Sequence, residues 1–471
     1  MQITFLIDDS SFKKEVEYVA RVFSSVLAAD IQVQDFQTPL EADAVALGYF
    51  SPENIKNLAV PEECRIWIIA DSLFWKKYTQ GKRAKTIKRR FGDCPIIQSP
   101  DKATPDAGNY KGLMIDQDII LSSFWLLSRY EECFEIEDRD QHDRYKFSNS
   151  VLAEDLGKSL IHLYLQQLVL WIKEQYKVTI PFRSANLEAV ISHDIDIPYH
   201  FGKIRSVLSA AKARLTSQGM GSSAAHLLRY MKVRAGMGKD RNETFDYIMQ
   251  TQAQRGIKST WFILLCSDNL WGLDLDKYAK QLQSIAAAGH EIGLHPGYDS
   301  YINTEKRTTE KIAIEQMADC TIIGARNHFL RFKIPESYHI VHETGLIYDS
   351  TLGFAEREGF RAGFCSPFKP FDPQRRQTID MLEIPMSIMD GTFRDYQHLP
   401  PPQAEVRIKA MIDHVADIRG SIVFNWHNTF LLAEEPAWRQ VYENSLDYLI
   451  EKNASFSTAD ELARTWGGRW Q

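Results

Sequence analysis

The spacing of apolar residues changes along the chain, from mixed short runs near the start to a regular alternation after residue 180. Near the start, the apolar run Ile3 to Ile7 predicts a β-strand, and Phe12 to Leu27 has the spacing of an amphipathic helix. A longer apolar stretch at helical spacing, Val151 to Tyr176, ends shortly before Pro181. We therefore predict that residues 1–180 form an α/β domain with a helical region.

Residues 181–471 show seven apolar runs of strand length that alternate with stretches of helical spacing, and a short eighth run follows. The runs are Leu187 to Ser192, Ser259 to Leu265, Glu291 to His295, Ile323 to Leu330, Leu346 to Ser350, Met381 to Pro385, Ile422 to Trp426 and Ala454 to Phe456. Repeated strand–helix units predict a parallel sheet that closes into a barrel, with its chemistry at the carboxyl ends of the strands. The predicted fold class is α/β, a distorted (β/α) barrel of about seven strands preceded by the smaller α/β domain.

One segment interrupts this alternation. Residues 201–241 have helical spacing and carry nine lysines and arginines, against Asp240 as the only acid. The simpler interpretation is a solvent-exposed helical hairpin beside the site. The alternative is a surface that contacts anions, either membrane phospholipid or a polyprenyl-phosphate carrier.

Two aspartates end the first strand run of the barrel. Asp194 and Asp196 are spaced i, i+2, so a loop at the strand end can turn both carboxylates into one pocket, where one holds a metal and the other handles a proton. His295 ends another strand run and offers an imidazole to the same metal. Structural zinc sites mostly use thiolates, so carboxylate and imidazole ligands indicate a catalytic metal.

Two further strand runs end in candidate functional residues. His427 follows the run Ile422 to Trp426, and Arg331 follows the run Ile323 to Leu330. A guanidinium at that position could keep a neighbouring carboxylate ionised, as a general base requires. A single histidine or arginine at a strand end is more often structural. The hypothesis of a catalytic metal site therefore depends on the combination of these residues at one rim of the predicted barrel.

Composition narrows the class of protein. The length of 471 residues predicts two or more domains, and the net charge of -7 argues against a nucleic-acid binder. No apolar stretch approaches the ~20 residues of a membrane span. The amino terminus lacks a basic leader and predicts a first strand. The six cysteines show no CxxC spacing, which is typical of reduced thiols, so we expect a cytoplasmic protein.

With these residues in this order, residues 185–470 resemble the NodB-type polysaccharide deacetylases of carbohydrate esterase family 4. Ser192 to Asp196 is similar to the first motif of that family, and Gly289 to Ser300 to the second. Leu330-Arg331-Phe332 with Pro335 is similar to the third, and Phe424 to Asn428 to the last. The leading part, with Ser128 to Glu132, resembles an uncharacterised domain that precedes this enzyme in a bacterial subfamily.

The resemblance implies a role for each matching residue. Asp194 would be the general base that activates water, and Arg331 would orient it. His427 would be the general acid that protonates the leaving amine. Asp196 and His295 would bind a divalent metal, with zinc expected and manganese, cobalt or magnesium as alternatives.

The second motif departs from the family pattern. The family has histidines at i and i+4, and here His295 is followed at i+4 by Asp299. One interpretation makes Asp299 the third metal ligand, in a set with less preference for zinc. The other leaves Asp299 on a loop amide and gives the third position to Ser300 or water.

The function implied by the resemblance is removal of an acetyl group from an N-acetylated sugar or saccharide precursor. Tyr298, Asp349 and Arg361 are the expected substrate contacts. The absence of an export signal favours a cytoplasmic substrate, near the inner membrane surface if the basic segment contacts lipid. Two alternatives stay open at this point: hydrolysis of a non-sugar amide, and a carbohydrate-binding protein whose catalysis has decayed.

Overall fold

The computed structural model describes residues 1–40, 45–55, 63–91, 94–102, 112–134, 138–201, 204–265 and 273–470. Its first part contains the strands β1 Gln2–Ile7, β2 Asp30–Asp35, β3 Val45–Phe50, β4 Cys64–Ile69, β5 Ile87–Phe91, β6 Cys94–Gln98 and β7 Leu113–Ile115. Five of them form a parallel sheet in the order β2-β1-β3-β4-β7, and β5 and β6 form an antiparallel hairpin. This is an α/β arrangement, as the sequence predicts.

Among the residues that the structure describes here, six helices accompany these strands: α1 Lys13–Val26, α2 Pro52–Ile55, α3 Ser72–Thr79, α4 Ile119–Leu127, α5 Tyr130–Phe134 and α6 Leu160–Tyr176. The apolar stretch predicted as helical from Val151 begins with turns, and its helix starts only at Leu160. Helix α4 is buried along its whole length, because it packs against α1, β6 and α5 and, through Phe124, against Phe371 of the second part. One continuous hydrophobic core extends from Ile3 to Trp470. The domain boundary near residue 180 stays a prediction.

The second part contains the strands β8 Glu188–Ile195, β9 Thr260–Leu264, β10 Glu291–His295, β11 Gly324–Ala325, β12 Tyr348–Asp349, β13 Phe371–Asp372, β14 Gln377–Thr378, β15 Leu382–Glu383, β16 Ile388–Met389, β17 Ser421–Asn425 and β18 Ser455–Phe456. A parallel sheet runs in the order β15-β12-β11-β10-β9-β8-β17-β16, with β18 also paired to β8. The sheet curls into an open, distorted (β/α) barrel. This confirms the predicted fold class.

In the described residues of this part, nine helices surround or extend the barrel: α7 Ile204–Gln218, α8 Met220–Arg234, α9 Phe245–Ala253, α10 Leu275–Ala287, α11 Thr304–Ala318, α12 Glu336–Glu343, α13 Pro401–Asp417, α14 Pro436–Glu451 and α15 Ala459–Arg469. Helices α7 and α8 form the hairpin that the basic segment predicts, although residues 202–203 of that segment lie outside the described residues. Of the described helices, none has the length and apolar character needed to cross a bilayer.

The strands at the centre of the sheet are nearly continuous apolar runs because helices cover the sheet from outside. All five residues of β9 and all five of β17 are buried. Strand β10 has the bounds that the sequence predicts, Glu291 to His295. Strand β11 is shorter than its apolar run, since it ends at Ala325 rather than at Leu330.

Candidate active site

Polar side chains collect where β8, β10, β11 and β17 end, because parallel strands bring their carboxyl ends to one rim of the barrel. Asp194 is the last residue but one of β8, and Asp196 directly follows the strand. His295 is the last residue of β10. His427 lies two residues beyond β17. These four predicted residues line one cavity.

A candidate set of ligands for a metal ion lies in this cavity. Asp196, His295 and His328 each offer one ligand atom, and these atoms lie within 4.8 Å of one another. The Nε2 of His295 is 3.2 Å from Oδ1 of Asp196, and the Nε2 of His328 is 3.7 Å from the same oxygen. Two imidazoles and one carboxylate are a donor set that suits zinc and other first-row divalent cations.

Two buried atoms of this set support its fit to a cation. The Nε2 of His295 and the Oδ1 of Asp196 are buried without a hydrogen-bond partner among the described residues. Such orphaned atoms are costly unless something else satisfies them. The Nδ1–H of His295 donates to the carbonyl of Arg326 at 2.6 Å, which leaves the lone pair of Nε2 directed at Asp196. The residues therefore fit a divalent metal.

The third member of the candidate ligand set is His328, whereas the sequence predicts Asp299. The side chain of Asp299 is 68% exposed, and its carboxylate pairs with Arg331 at 3.2 Å rather than with the other ligands. His328 instead approaches Asp196 from the turn that follows β11. In that turn Phe329 and Leu330 have φ values of 58° and 54°, in the left-handed region that non-glycine residues avoid. The strained turn brings His328 into the cavity.

Asp194 is held by two donors. Its Oδ2 accepts a hydrogen bond from Nδ2 of Asn425 at 2.7 Å, and its Oδ1 lies 3.2 Å from the guanidinium of Arg326. Arg326 therefore has the position that the sequence assigned to Arg331. Arg331 lies farther along the chain and donates to the carbonyl of His142, to Tyr301 and to Asp299. The expectation that Arg331 orients Asp194 is wrong, because β11 ends five residues earlier than the apolar run.

His427 forms a pair with a carboxylate that the sequence analysis did not single out. Its Nδ1–H donates to Oδ1 of Asp390 at 2.6 Å, and its Nε2 lies 3.9 Å from Asp194 and 3.8 Å from Asp196. Asp390 directly follows β16 and is fully buried. Burial alone would lower the pKa of His427, but Asp390 and the two other carboxylates outweigh it and raise that pKa to about 10.

The three ligand side chains influence one another electrostatically. Burial alone would raise the pKa of Asp196, but the facing imidazoles of His295, His427 and His328 outweigh it and lower that pKa. Burial would likewise lower the pKa of His295, yet Asp194 and Asp196 raise it. Burial and the neighbouring His295 lower the pKa of His328 to about 4, so this imidazole is neutral near pH 7. A neutral imidazole is the form that binds a metal.

Two predicted substrate contacts lie away from the cavity. Asp349 is fully buried in β12 and accepts a hydrogen bond from the backbone N–H of Thr351. Arg361 is also buried and forms a bidentate ion pair with Glu132 from the leading part of the chain. Neither side chain lines the cavity.

Tyr298 lies near the cavity without lining it. Its ring is under the guanidinium of Arg331, with the guanidinium carbon 3.8 Å from the ring centre, and its hydroxyl lies 3.0 Å from Nδ1 of His142. Its side chain is half exposed beside Phe329, which does line the cavity. A sugar contact by Tyr298 stays a prediction.

The leading part of the chain supplies a wall of the cavity. Arg144, from the loop that precedes α6, donates to the carbonyl of Phe329 at 3.1 Å and to the hydroxyl of Tyr396 at 3.2 Å. Asp140 holds the same guanidinium from within its own loop. Arg144 thus links two walls of the cavity. One wall is the turn that contains His328, and the other is the π-helical turn that contains Tyr396.

The chain resembles one protein family over its leading part and several solved structures at low sequence identity. A family model described as a family of unknown function, DUF7033, matches residues 5–177. A search of curated proteins gave no match. Among solved structures, a protein from Mycobacterium smegmatis assigned as a polysaccharide deacetylase is 16% identical, with a TM-score of 0.42, and the similarity covers 62% of this chain and 93% of that one.

Two further solved structures are similar at the same level. An allantoinase is 14% identical with a TM-score of 0.41, covering 60% of this chain and 90% of that one. A carbohydrate esterase family 4 pseudoenzyme from Bacillus anthracis is 11% identical with a TM-score of 0.32, covering 60% and 66%. These similar structures differ in activity, so they do not identify the function of this chain. The function has to be argued from the side chains of the site.

Proposed function

We propose that the chain is a metal-dependent hydrolase that removes an acetyl group from the nitrogen of an N-acetylated sugar or saccharide precursor. One observation carries this proposal. A carboxylate held by two donors, Asp194, and an imidazole held by a carboxylate, His427, face each other at 3.9 Å beside a complete set of metal ligands. Amide hydrolysis needs these three elements together: a base, an acid and an electrophile.

Asp194 has the environment of a general base. Arg326 and Asn425 both bind its carboxylate, and Asp194 is only 2% exposed, so water reaches it through the cavity alone. In the proposed reaction Asp194 takes a proton from the attacking water as the new carbon–oxygen bond forms. A divalent cation held by Asp196, His295 and His328 would polarise the amide carbonyl and acidify that water.

His427 has the environment of a general acid. The carboxylate of Asp390 fixes the Nδ1–H tautomer, so the protonated Nε2 is directed into the cavity next to Asp194. When the carbon–nitrogen bond breaks, His427 donates this proton to the leaving amine. Acetate and the free amino sugar are the products, and the proton held by Asp194 returns to solvent or to His427.

The test is release of acetate from N-acetylated mono- and oligosaccharides by the full chain supplied with zinc. We expect Asp194→Asn to lower kcat by about 10³-fold or more, since the base is lost, while the metal content stays that of the unchanged chain. Asp276→Asn, which removes an exposed carboxylate on α10, is the matched control and should keep full activity.

Other outcomes separate the alternatives. Turnover of simple or cyclic amides in place of every saccharide would assign the same machinery to a non-sugar substrate. Saccharide binding without acetate release, in a chain loaded with metal, would mean that catalysis has decayed. The intact pairing of His427 with Asp390 favours a working enzyme over that outcome.

A further inference from the structure

The hairpin of α7 and α8 exposes an unusual number of apolar side chains. Seven of the twenty exposed large apolar residues among the described part of the chain lie between residues 204 and 237. They are Ile204, Leu208, Leu215, Met220, Leu228, Met231 and Met237, with exposed fractions from 48% to 78%. Clusters of this kind mark interaction surfaces rather than ordinary solvent-facing helices.

Six of these residues lie on the two helices, where they form one stripe on each. Ile204, Leu208 and Leu215 are spaced i, i+4 and i+11 on α7, and Met220, Leu228 and Met231 are spaced i, i+8 and i+11 on α8. The two helices meet through other positions: the hydroxyl of Ser223 on α8 donates to the carbonyl of Ala211 on α7, and both residues are buried. The stripes therefore stay uncovered when the hairpin forms.

Positive charge surrounds the stripes. Lys212, Lys232 and Arg234 are exposed and make no ion pair with any described residue. The only acid of the segment, Asp240, is buried, and its carboxylate accepts hydrogen bonds from backbone N–H groups, among them that of His200. The whole chain has a net charge of -7, so this basic surface is a local feature.

The hairpin lies on the same side of the barrel as the cavity. Its segment, residues 201–241, follows Asp196 after a short connection, and the chain returns at Asn242, whose carbonyl accepts a hydrogen bond from Asn428 at 3.1 Å. Asn428 is the neighbour of His427 in the chain. The end of the hairpin segment therefore lies close to His427, which lines the cavity.

We propose that the α7–α8 hairpin docks the protein on an anionic phospholipid bilayer. Exposed apolar stripes flanked by lysine and arginine match the two layers of such a surface, acyl chains below and phosphates above. Docking would bring the cavity to the membrane, which, if the proposed function holds, favours a lipid-linked saccharide as substrate.

The test is flotation of the full chain with phosphatidylcholine vesicles that contain or lack phosphatidylglycerol. We expect binding to the anionic vesicles at low salt, weakening as salt rises. The double variants Lys212→Glu/Lys232→Glu and Leu208→Ser/Met231→Ser should each weaken binding by about tenfold or more. The matched controls are Lys306→Glu on α11 and Val406→Ser on α13, both exposed, which should bind like the unchanged chain.

Unchanged thermal unfolding of each variant shows that the hairpin still folds. The proposal is overturned if the chain does not float at low salt, if both double variants bind as before, or if neutral vesicles bind equally well. It is also overturned if sedimentation shows a dimer that Leu208→Ser/Met231→Ser dissociates, since the stripes then face a second copy. Acetate release from a soluble saccharide tests the proposed function separately.

Discussion

At the scale of single residues, His328 decides the character of the metal site. Two imidazoles and one carboxylate form a softer set than the two carboxylates and one imidazole that Asp299 would give. The low pKa of His328, about 4, means that metal binding requires little proton release from this residue near pH 7. We therefore expect zinc to be preferred over magnesium.

Replacing one side chain at a time distinguishes the two candidates for the third ligand. His328→Ala should lower the metal content of purified protein well below one ion per chain, because a buried set of two ligands leaves the cation underbound. Asp299→Ala should leave metal content unchanged, since its carboxylate pairs with Arg331 at the surface. Elemental analysis of both variants is the measurement, and loss of metal from Asp299→Ala alone would restore the expectation made from the sequence.

At the scale of elements, the sequence predicts the strands better than their ends. The bounds of β10 agree with its apolar run, so His295 is placed correctly at the rim. The run Ile323 to Leu330 was interpreted as one strand, although the polar triplet Arg326-Asn327-His328 interrupts it. The chain leaves the sheet at that triplet, so Arg326 occupies the position expected of Arg331, and His328 occupies the position expected of Asp299.

The short strand β16 shows the same limit. It has only two residues, Ile388 and Met389, and no periodicity can be seen in so short a segment. No local pattern therefore points to Asp390, which pairs with His427. Hydrogen bonds between elements distant in sequence, such as Asp390 to His427, depend on the barrel itself and could not be derived from local patterns.

The loop that carries Arg144 belongs to the leading part of the chain but joins two walls of the cavity. Arg144→Met should lower kcat/KM for acetate release by about tenfold, because the turn of His328 and the turn of Tyr396 lose a common charge-assisted donor. Metal content should stay unchanged. Arg139→Met, which removes a guanidinium bonded only within the same loop, is the control. Equal losses in both variants would mean that the loop acts through its overall fold.

At the scale of the whole molecule, a buried ion network joins the two parts. Arg129 pairs with Glu131 and Glu132, and Glu132 also pairs with Arg361 of the barrel. The sequence singled out Ser128 to Glu132 as a motif and Arg361 as a substrate contact, without indicating that they meet. Their contact spans more than two hundred residues along the chain, and only the folded molecule shows it.

Removing the shared carboxylate should destabilise the whole chain. Glu132→Gln leaves Arg129 and Arg361 buried with reduced pairing, so we expect the free energy of unfolding to fall by about 3–5 kcal/mol. Arg361→Lys keeps the charge but loses the bidentate geometry, and should cost less. Urea denaturation measures both, with Glu305→Gln on the exposed first turn of α11 as control. Equal midpoints for Glu132→Gln and the unchanged chain would contradict the structural role of the network.

The pH dependence of the loss in unfolding free energy caused by Glu132→Gln identifies the physical cause of that loss. Burial alone would raise the pKa of Glu132, but Arg361 and Arg129 outweigh it and lower that pKa from 4.5 to about 2. A lowered carboxyl pKa contributes stability that is fully present above pH 4.5 and disappears as pH falls toward 2. The difference in unfolding free energy between the unchanged chain and Glu132→Gln should therefore narrow as pH is lowered through this window. A constant difference would assign the loss to packing, since packing does not titrate.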